Sequence, residues 1–343
     1  MTYVFDIGHP AHVHYFKALI KTLKSRGHQV IVFARDKECT LALLDAYGIE
    51  YVNRGKGSSS LLGKFFYILK TDATLFFKLL FRKKNVFIGF ASPYAAHLAW
   101  VFRKRSITID DTDKATLSHK LYLPFTSQVL TPVFFEKDLG KKHVRFNSFM
   151  ELSYLHPDVF KPSQTSISEN AGASAEPYAI VRFVSWGANH DVGQFGMNRE
   201  QKRAIVEEIS KHMRVFISSE SELPEDMSHL KLNIAPHELH DVLSGASLYI
   251  GEGATMAAEA AMLGIPAIYT NTLTAGTLHA MRDRGLLHIW NPTTENLMEV
   301  LQRYVTNPQV KSEAAKRREA LLLECDNPSE FFLNFIDSPH QNR

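Results

Sequence analysis

Cysteine is nearly absent. Cys39 and Cys325 are the only two in 343 residues. They lie far apart, offer no metal-ligand spacing and no disulfide framework, and so point to a reducing compartment. Long apolar runs are also missing, and no stretch approaches the roughly 20 residues that cross a bilayer as a helix. The opening MTYVFDIGHPAHVHYF has neither the basic segment nor the long apolar core of a secretory signal. It reads as a first buried strand, and a cytoplasmic location is expected. Neither sign of charge dominates. Lys and Arg number 39 against 36 Asp and Glu, leaving a net charge of +3, too mild and too evenly mixed to argue for nucleic acid. Several reaction signatures are missing as well. There is no Gly-x4-Gly-Lys-Ser phosphate loop, no Gly-x-Gly-x-x-Gly after the first strand, no Cys/His zinc pattern and no Gly-x-Ser-x-Gly elbow.

What is present is an ordinary globular composition, 45% hydrophobic and 22% charged, in a chain long enough for two domains. The first half alternates strand and helix. Strands are expected at Tyr3–Ile7, Gln29–Ala34, Glu50–Val52, Val86–Phe90, Ser106–Ile109 and Gln128–Leu130. Helices are expected at His12–Ser25, Cys39–Tyr47, Tyr94–Phe102 and Ala115–Leu123. This rhythm predicts an α/β fold with a parallel sheet covered on both faces. The run PSQTSISENAGASAEP, Pro162–Pro177, has no periodicity and reads as a linker. The alternation then restarts with strands at Tyr178–Val184 and Arg214–Ser218 and helices at Arg199–His212 and His237–Ser244. The expected organisation is one domain over 1–160, a linker over 161–177, a second domain over 178–325, and a last segment, 326–343, packing back on the first domain. Two such domains define a cleft, a favoured place for ligands.

The densest signal is Ser247–Asn271, SLYIGEGATMAAEAAMLGIPAIYTN. It reads as strand, glycine turn, helix, turn and strand, with Gly264 ending the helix and Pro266 opening the next strand. Small residues before a helix leave N–H groups uncovered, and the helix dipole adds to their attraction for an anion. Glu259, about one turn inside, can accept hydrogen bonds from sugar hydroxyls. Gly251, Gly253, Ala254, Thr255, Met256 and Glu259 are therefore candidate contacts for a nucleotide diphosphate. An ordinary crossover with a surface Glu fits the same pattern.

Other residues carry chemistry by type and place. His12, at the first helix, suits a base near neutral pH; packing or capping is its alternative. His12 and His14, two apart, cannot share a helix face as a metal pair. Asp110-Asp111-Thr112-Asp113 follows a strand end, and Asp111 is singled out there, against the simpler role of capping the next helix. Ser185 and Trp186 follow the first strand of the second domain, where the indole can stack on a base or sugar. Ser219 ends the next strand, and His237 stands at the start of a helix. Leu61–Lys84, LLGKFFYILKTDATLFFKLLFRKK, is Leu, Phe and Lys with Asp72 its one acid. It reads either as an interfacial amphipathic segment touching the inner face of a membrane or as a helix pair buried on the sheet.

GEGATMAAEAAMLGIPAI resembles a signature of the domain-of-unknown-function family DUF354. DIGHPAHVHYFKALIKTLKSRGHQVIVFARD and SITIDDTDKATLSHKLYLPFTSQVLTP resemble that family too, so the likeness covers nearly the whole chain. The family is similar in turn to GT-B glycosyltransferases, including the N-acetylglucosaminyltransferase that completes the lipid-linked peptidoglycan precursor. The resemblance implies two Rossmann-like domains with parallel sheets facing a central cleft. It places Gly8 and His9 in a substrate loop and matches His12 to that enzyme's histidine. It gives Glu259 the ribose of a UDP-sugar and the segment around His237 the base. UDP-N-acetylglucosamine 2-epimerases share the fold, but their early Gly-Thr-Arg-Pro-Glu motif is absent, since the corresponding strand ends Ala34-Arg35-Asp36. The implied activity is an inverting, metal-independent glycosyltransferase, with a nucleotide diphosphate sugar as co-substrate, no further cofactor, and a glycan or lipid-linked acceptor. A nucleotide-sugar epimerase or hydrolase, or a non-catalytic glycan-assembly protein, is the alternative.

Overall fold

The structure is a computed structural model, in which residues 1–58, 61–172, 176–184, 197–219, 221–273 and 275–338 are described. The chain forms two compact units. One is Met1–Val159 joined by the segment from Asp326 onward; the other is Phe160–Cys325. In chain order the first unit holds β1 (Thr2–Ile7), α1 (Pro10–Ser25), β2 (Gln29–Ala34), α2 (Thr40–Ala46), β3 (Val52–Asn53), α3 (Leu61–Leu79), β4 (Val86–Phe90), α4 (Pro93–Val101), β5 (Arg105–Ile109), α5 (Thr116–Tyr122), β6 (Gln128–Pro132), β7 (His143–Phe146) and α6 (Leu152–Leu155). The second follows with α7 (Gln164–Ala171), β8 (Tyr178–Phe183), α8 (Arg199–Ser210), β9 (Arg214–Ser219), α9 (Leu239–Gly245), β10 (Leu248–Gly251), α10 (Ala254–Met262), β11 (Ala267–Tyr269), α11 (Gly276–Asp283), β12 (His288–Ile289), α12 (Leu297–Thr306) and α13 (Val310–Glu324). α14 (Pro328–Asp337) then returns to the first unit.

The first sheet runs β3-β2-β1-β4-β5-β6-β7, all parallel. β1 and β4 are buried along their whole lengths, as strands covered by helices on both faces must be. On one face Val4, Phe33 and Phe87 pack with Leu75 and Leu79 of α3 and Leu98 and Ala99 of α4. On the other, α1 lies against α6 and α14. Local chemistry starts several helices. Ser92 Oγ accepts from the Ala95 N–H at the head of α4, with Pro93 next in line, and Asn198 and Gln201 form a reciprocal capping box on α8.

The second sheet runs β12-β11-β10-β8-β9, again all parallel. Val181, Ile217, Ile250 and Ile268 form its core with Ile205 and Ile209 of α8 and Val300 and Leu301 of α12. In both sheets the strand order reverses once, between β1 and β4 and between β8 and β10. Loops leaving the carboxyl ends on either side of such a reversal diverge and open a crevice, the usual ligand position in open α/β sheets.

Several elements differ from the sequence reading. Leu61–Leu79 is one helix, not a pair. Its buried line is Thr71, Leu75 and Leu79, one residue every helical turn. Gln164–Ala171, read as linker, is a helix because Ser163 caps it through the Ser166 N–H. Glu238 also holds it, accepting from Ser166 Oγ and Asn170 Nδ2 at 3.3 and 3.2 Å. β7 and α11 were not anticipated. α14 packs on α1 and α6, and Arg105 donates to the carbonyls of Phe335 and Ile336 at 3.0 Å each.

Candidate functional site

In the second unit the candidate site grows from the contact of β8 with β10. Gly251 stands opposite Arg182 in the ladder. A Cβ on Gly251 would lie 2.6 Å from the Arg182 carbonyl oxygen and 2.7 Å from its Cβ, so only glycine fits. Gly251→Ala should cost about 1–3 kcal/mol through overpacking, read as a lower urea midpoint; an unchanged midpoint would show that the strands can part there. The Arg182 side chain then runs beside the glycine turn. A Cβ on Gly253 would stand 3.3 Å from its Cγ and 3.9 Å from its Nε, while Nη1 donates to Ser218 Oγ at 2.8 Å.

Gly253 is the N-cap of α10 and, having no side chain, makes no cap hydrogen bond to that end. Ala254, Thr255 and Met256 form the first turn, with Thr255 exposed and Met256 buried. A half-buried cation and a helix N-terminus thus share the crevice mouth, and both favour negative charge. The turn is held from below. Glu252, 7% exposed, accepts from the Val184 and Met197 N–H groups at 3.1 and 3.0 Å and pairs with the buried Lys202 ammonium at 3.0 Å. Tyr249 donates its hydroxyl to the Gly253 carbonyl at 3.2 Å, and burial pushes that phenol up, so it stays a donor.

Glu259 lies in the second turn of α10, but not as a surface acid. It is 4% exposed, with Oε1 3.0 Å from Nε2 of His240, itself 2% exposed on α9. A carboxylate this deep is tolerated because it is paired, and His240 fixes its direction. Ser219 closes β9, its Oγ accepting from the Ser221 N–H at 3.3 Å. His237 is exposed on a 3₁₀ turn, Pro236–Glu238, that leads into α9. Ser185 and Trp186 lie outside the described residues.

In the first unit Gly8, His9 and His12 gather at the β1/β4 reversal. His9 is the N-cap of α1, its Nδ1 accepting from the Ala11 N–H at 3.2 Å. The Gly8 N–H donates to Nδ1 of His12 at 3.2 Å. A neutral ring that accepts at Nδ1 carries its proton on Nε2, so Nε2 is a donor. Burial, followed by the nearby His9, Arg54 and Lys37, holds His12 well below the usual imidazole range, so the ring stays neutral at pH 7. A neutral ring is the form a base requires, but in this tautomer the ring's accepting nitrogen is taken by the Gly8 N–H. The geometry offers a hydrogen-bond donor, its ring 4.8 Å from Phe90. His14 packs elsewhere, against Tyr154 and Tyr47.

Beneath this loop Arg54, with a side chain 3% exposed, pairs through Nε with Asp6 at 2.9 Å and donates to the Tyr67 hydroxyl at 2.8 Å. Ser92 donates to the same Asp6 at 2.7 Å, tying the end of β1 to the start of α4. Ala91 just before it has φ +43°, a left-handed conformation that non-glycine residues adopt uncommonly.

Asp111 follows β5, one strand beyond β4, which puts it about 10 Å along the same rim from the β1 loop at the usual strand spacing. The acids around it do not cap α5, whose N-cap is Ala115 with no side-chain bond. Asp110 is fully buried, accepting from the Tyr122 hydroxyl at 2.7 Å and the Thr112 N–H at 2.9 Å. Asp113 accepts from the Glu136 N–H at 2.6 Å. Asp111 alone is half-buried, bonded by Thr112 Oγ1 at 3.0 Å. Burial, then the neighbouring Asp110 carboxyl, pushes it up to about 7. Sequence reasoning missed Arg182, Arg54 and His240. The available signal for the first was a lone arginine inside the apolar run YAIVRF.

A family described as "Protein of unknown function (DUF354)" matches residues 2–322. The uncharacterized protein MJ0665 of Methanocaldococcus jannaschii is 22% identical over 275 residues, 77% of this chain and 80% of that one. A putative UDP-N-acetylglucosamine 2-epimerase from Listeria monocytogenes superposes with a TM-score of 0.69 at 13% identity, over 98% of this chain and 96% of that one. The glycosyltransferase VinC, solved in complex with dTDP, gives 0.64 at 12% identity, over 98% of each chain. The two parallel-sheet units thus have the fold of GT-B glycosyltransferases and nucleotide-sugar epimerases.

Proposed function

As a chain that belongs to the DUF354 family and has this fold, we propose that it is a nucleotide-sugar-dependent glycosyltransferase of hexosyl-transferring type. It would act, inverting and metal-independent, in surface polysaccharide or glycolipid assembly, on a glycan or lipid-linked acceptor. One observation carries the reading: Arg182 lies beside the uncapped first turn of α10 where the second sheet reverses its strand order. The amides of Ala254, Thr255 and Met256 and the Arg182 guanidinium receive the pyrophosphate of a UDP-sugar. Glu259, directed by His240, takes the ribose hydroxyls, and the segment around His237 takes the base.

In the reaction the acceptor oxygen forms a bond to the anomeric carbon as the bond from that carbon to the diphosphate oxygen breaks. The electron pair leaves with the diphosphate, whose growing charge meets fixed dipoles and a cation. The acceptor's proton goes to the Asp111 carboxylate, and His12 donates from Nε2 to a substrate oxygen.

Isothermal titration with UDP and dTDP tests the donor site. Arg182→Met should weaken binding by about 10- to 100-fold, the worth of a charge-assisted contact. A parent protein that binds neither nucleotide, or a variant that binds as well as the parent, removes the reading. The fold likeness to the epimerase supports a second chemistry on the same donor site. Consumption of UDP-N-acetylglucosamine with no acceptor present would favour it over transfer.

A further inference from the structure

One side of α3 is exposed along the described residues. Phe66, Leu69 and Phe77 are 65%, 52% and 70% exposed, and Leu80 and Phe81, just past the last turn, are 39% and 95% exposed. With Ala73 these positions recur at three and four residues, which draws a single stripe along a helix of 3.6 residues per turn. The opposite side is the buried line of Thr71, Leu75 and Leu79. Scattered apolar residues on a surface are normal, but a continuous stripe of large ones marks a docking face.

The charges on that side have one sign. Lys70, Lys78, Arg82 and Lys83 are exposed, while Asp72 is drawn away, its carboxylate 2.7 Å from Nδ1 of His97 on α4. Lys84 is not part of the cationic set. Its ammonium donates to the Leu79 and Leu80 carbonyls at 2.7 and 3.2 Å and closes the helix end. Phe76 stacks on Phe102 at 5.1 Å, so the ends of α3 and α4 lie together. There Trp100 and Val101 add exposed apolar surface, and Arg103 and Lys104 add exposed charge.

Among the described residues no helix is long and apolar enough to cross a membrane. We propose that α3 lies in the plane of an anionic lipid surface, with its phenylalanines among the acyl chains and its cations on the headgroups. Such an interface offers hydrocarbon directly beneath a layer of negative charge, which is what this stripe and its flanking cations present in complement. The inference is independent of the nucleotide site, whose titration succeeds or fails on its own.

Flotation of the full chain with phosphatidylcholine vesicles, with and without phosphatidylglycerol, tests it. The parent should float only with the anionic lipid and sink again at high salt. Reversing Lys70, Lys78, Arg82 and Lys83 to Glu should lower vesicle affinity by roughly a thousandfold or more, from about a fivefold contribution per cation near the surface. Phe77→Ser/Phe81→Ser should abolish capture, with circular dichroism and UDP titration confirming that the exposed changes leave the fold intact. No flotation of the parent at low salt overturns the proposal. So does flotation that survives both variants, or sedimentation showing that the stripe instead pairs two copies of the chain.

Discussion

Asp111→Asn should reduce turnover by about 10²- to 10⁴-fold, the usual worth of a positioned base, while UDP affinity stays at the parental level. The pH dependence has a defined sign. The Asp111 carboxyl lies near 7 in the folded protein against 3.8 ordinarily, and only the carboxylate can take the acceptor's proton. The parental kcat/KM should therefore rise with pH through about 7 and fall about tenfold per unit below it. Stability runs the other way. Because the folded value is raised, the folded state holds a proton that the unfolded chain has released between about pH 4 and 7. Stability contributed by this group is present below that window and lost as pH rises through it. The Asn variant, which has no charge to bury, should match the parent near pH 4 and exceed it above pH 7 in urea unfolding. Losing activity while gaining stability is the mark of a group kept for function. Full turnover in the variant would take Asp111 out of the chemistry.

Glu252→Ala should lower stability by about 3–5 kcal/mol, because it removes one member of a buried ion pair and the acceptor of two backbone N–H groups. Lys202, its side chain 4% exposed, would lose the Glu252 carboxylate 3.0 Å away, and the Val184 and Met197 N–H groups would lose this acceptor. Glu252→Gln still accepts from those amides and should cost less. Both effects are read from urea midpoints at pH 7, and UDP titration of the Gln variant reports whether the glycine turn keeps its shape. A midpoint unmoved by Glu252→Ala would mean that water reaches this cluster.

Much of the fold was legible because buried parallel strands such as YVFDI and VFIGF are short apolar runs punctuated by glycine, and helices fall between them. The glycine turn of the second unit was legible for a similar reason, since Gly251 and Gly253 meet a geometric demand of the neighbouring strand. What stayed hidden depends on neighbours distant in sequence. HVRF pairs as an edge strand only because β6 is there to receive it. Arg182 and Asp6 look like interruptions of apolar strands until a strand end distant in sequence supplies Ser218 or Arg54. The proton position on His12 follows from one backbone N–H, and no pattern of residue types encodes that.

The return of α14 to the first unit bears on how the protein is made. The second unit, Phe160–Cys325, is one continuous stretch, whereas the first needs α14, made after that stretch, to cover α1 and α6. On a ribosome, synthesis at about 5–20 residues per second leaves the earlier unit waiting roughly 10–30 seconds for α14 while the second unit is made. The part translated first is thus completed only after the second unit has been made, and in that interval its uncovered helix faces are what a chaperone would meet.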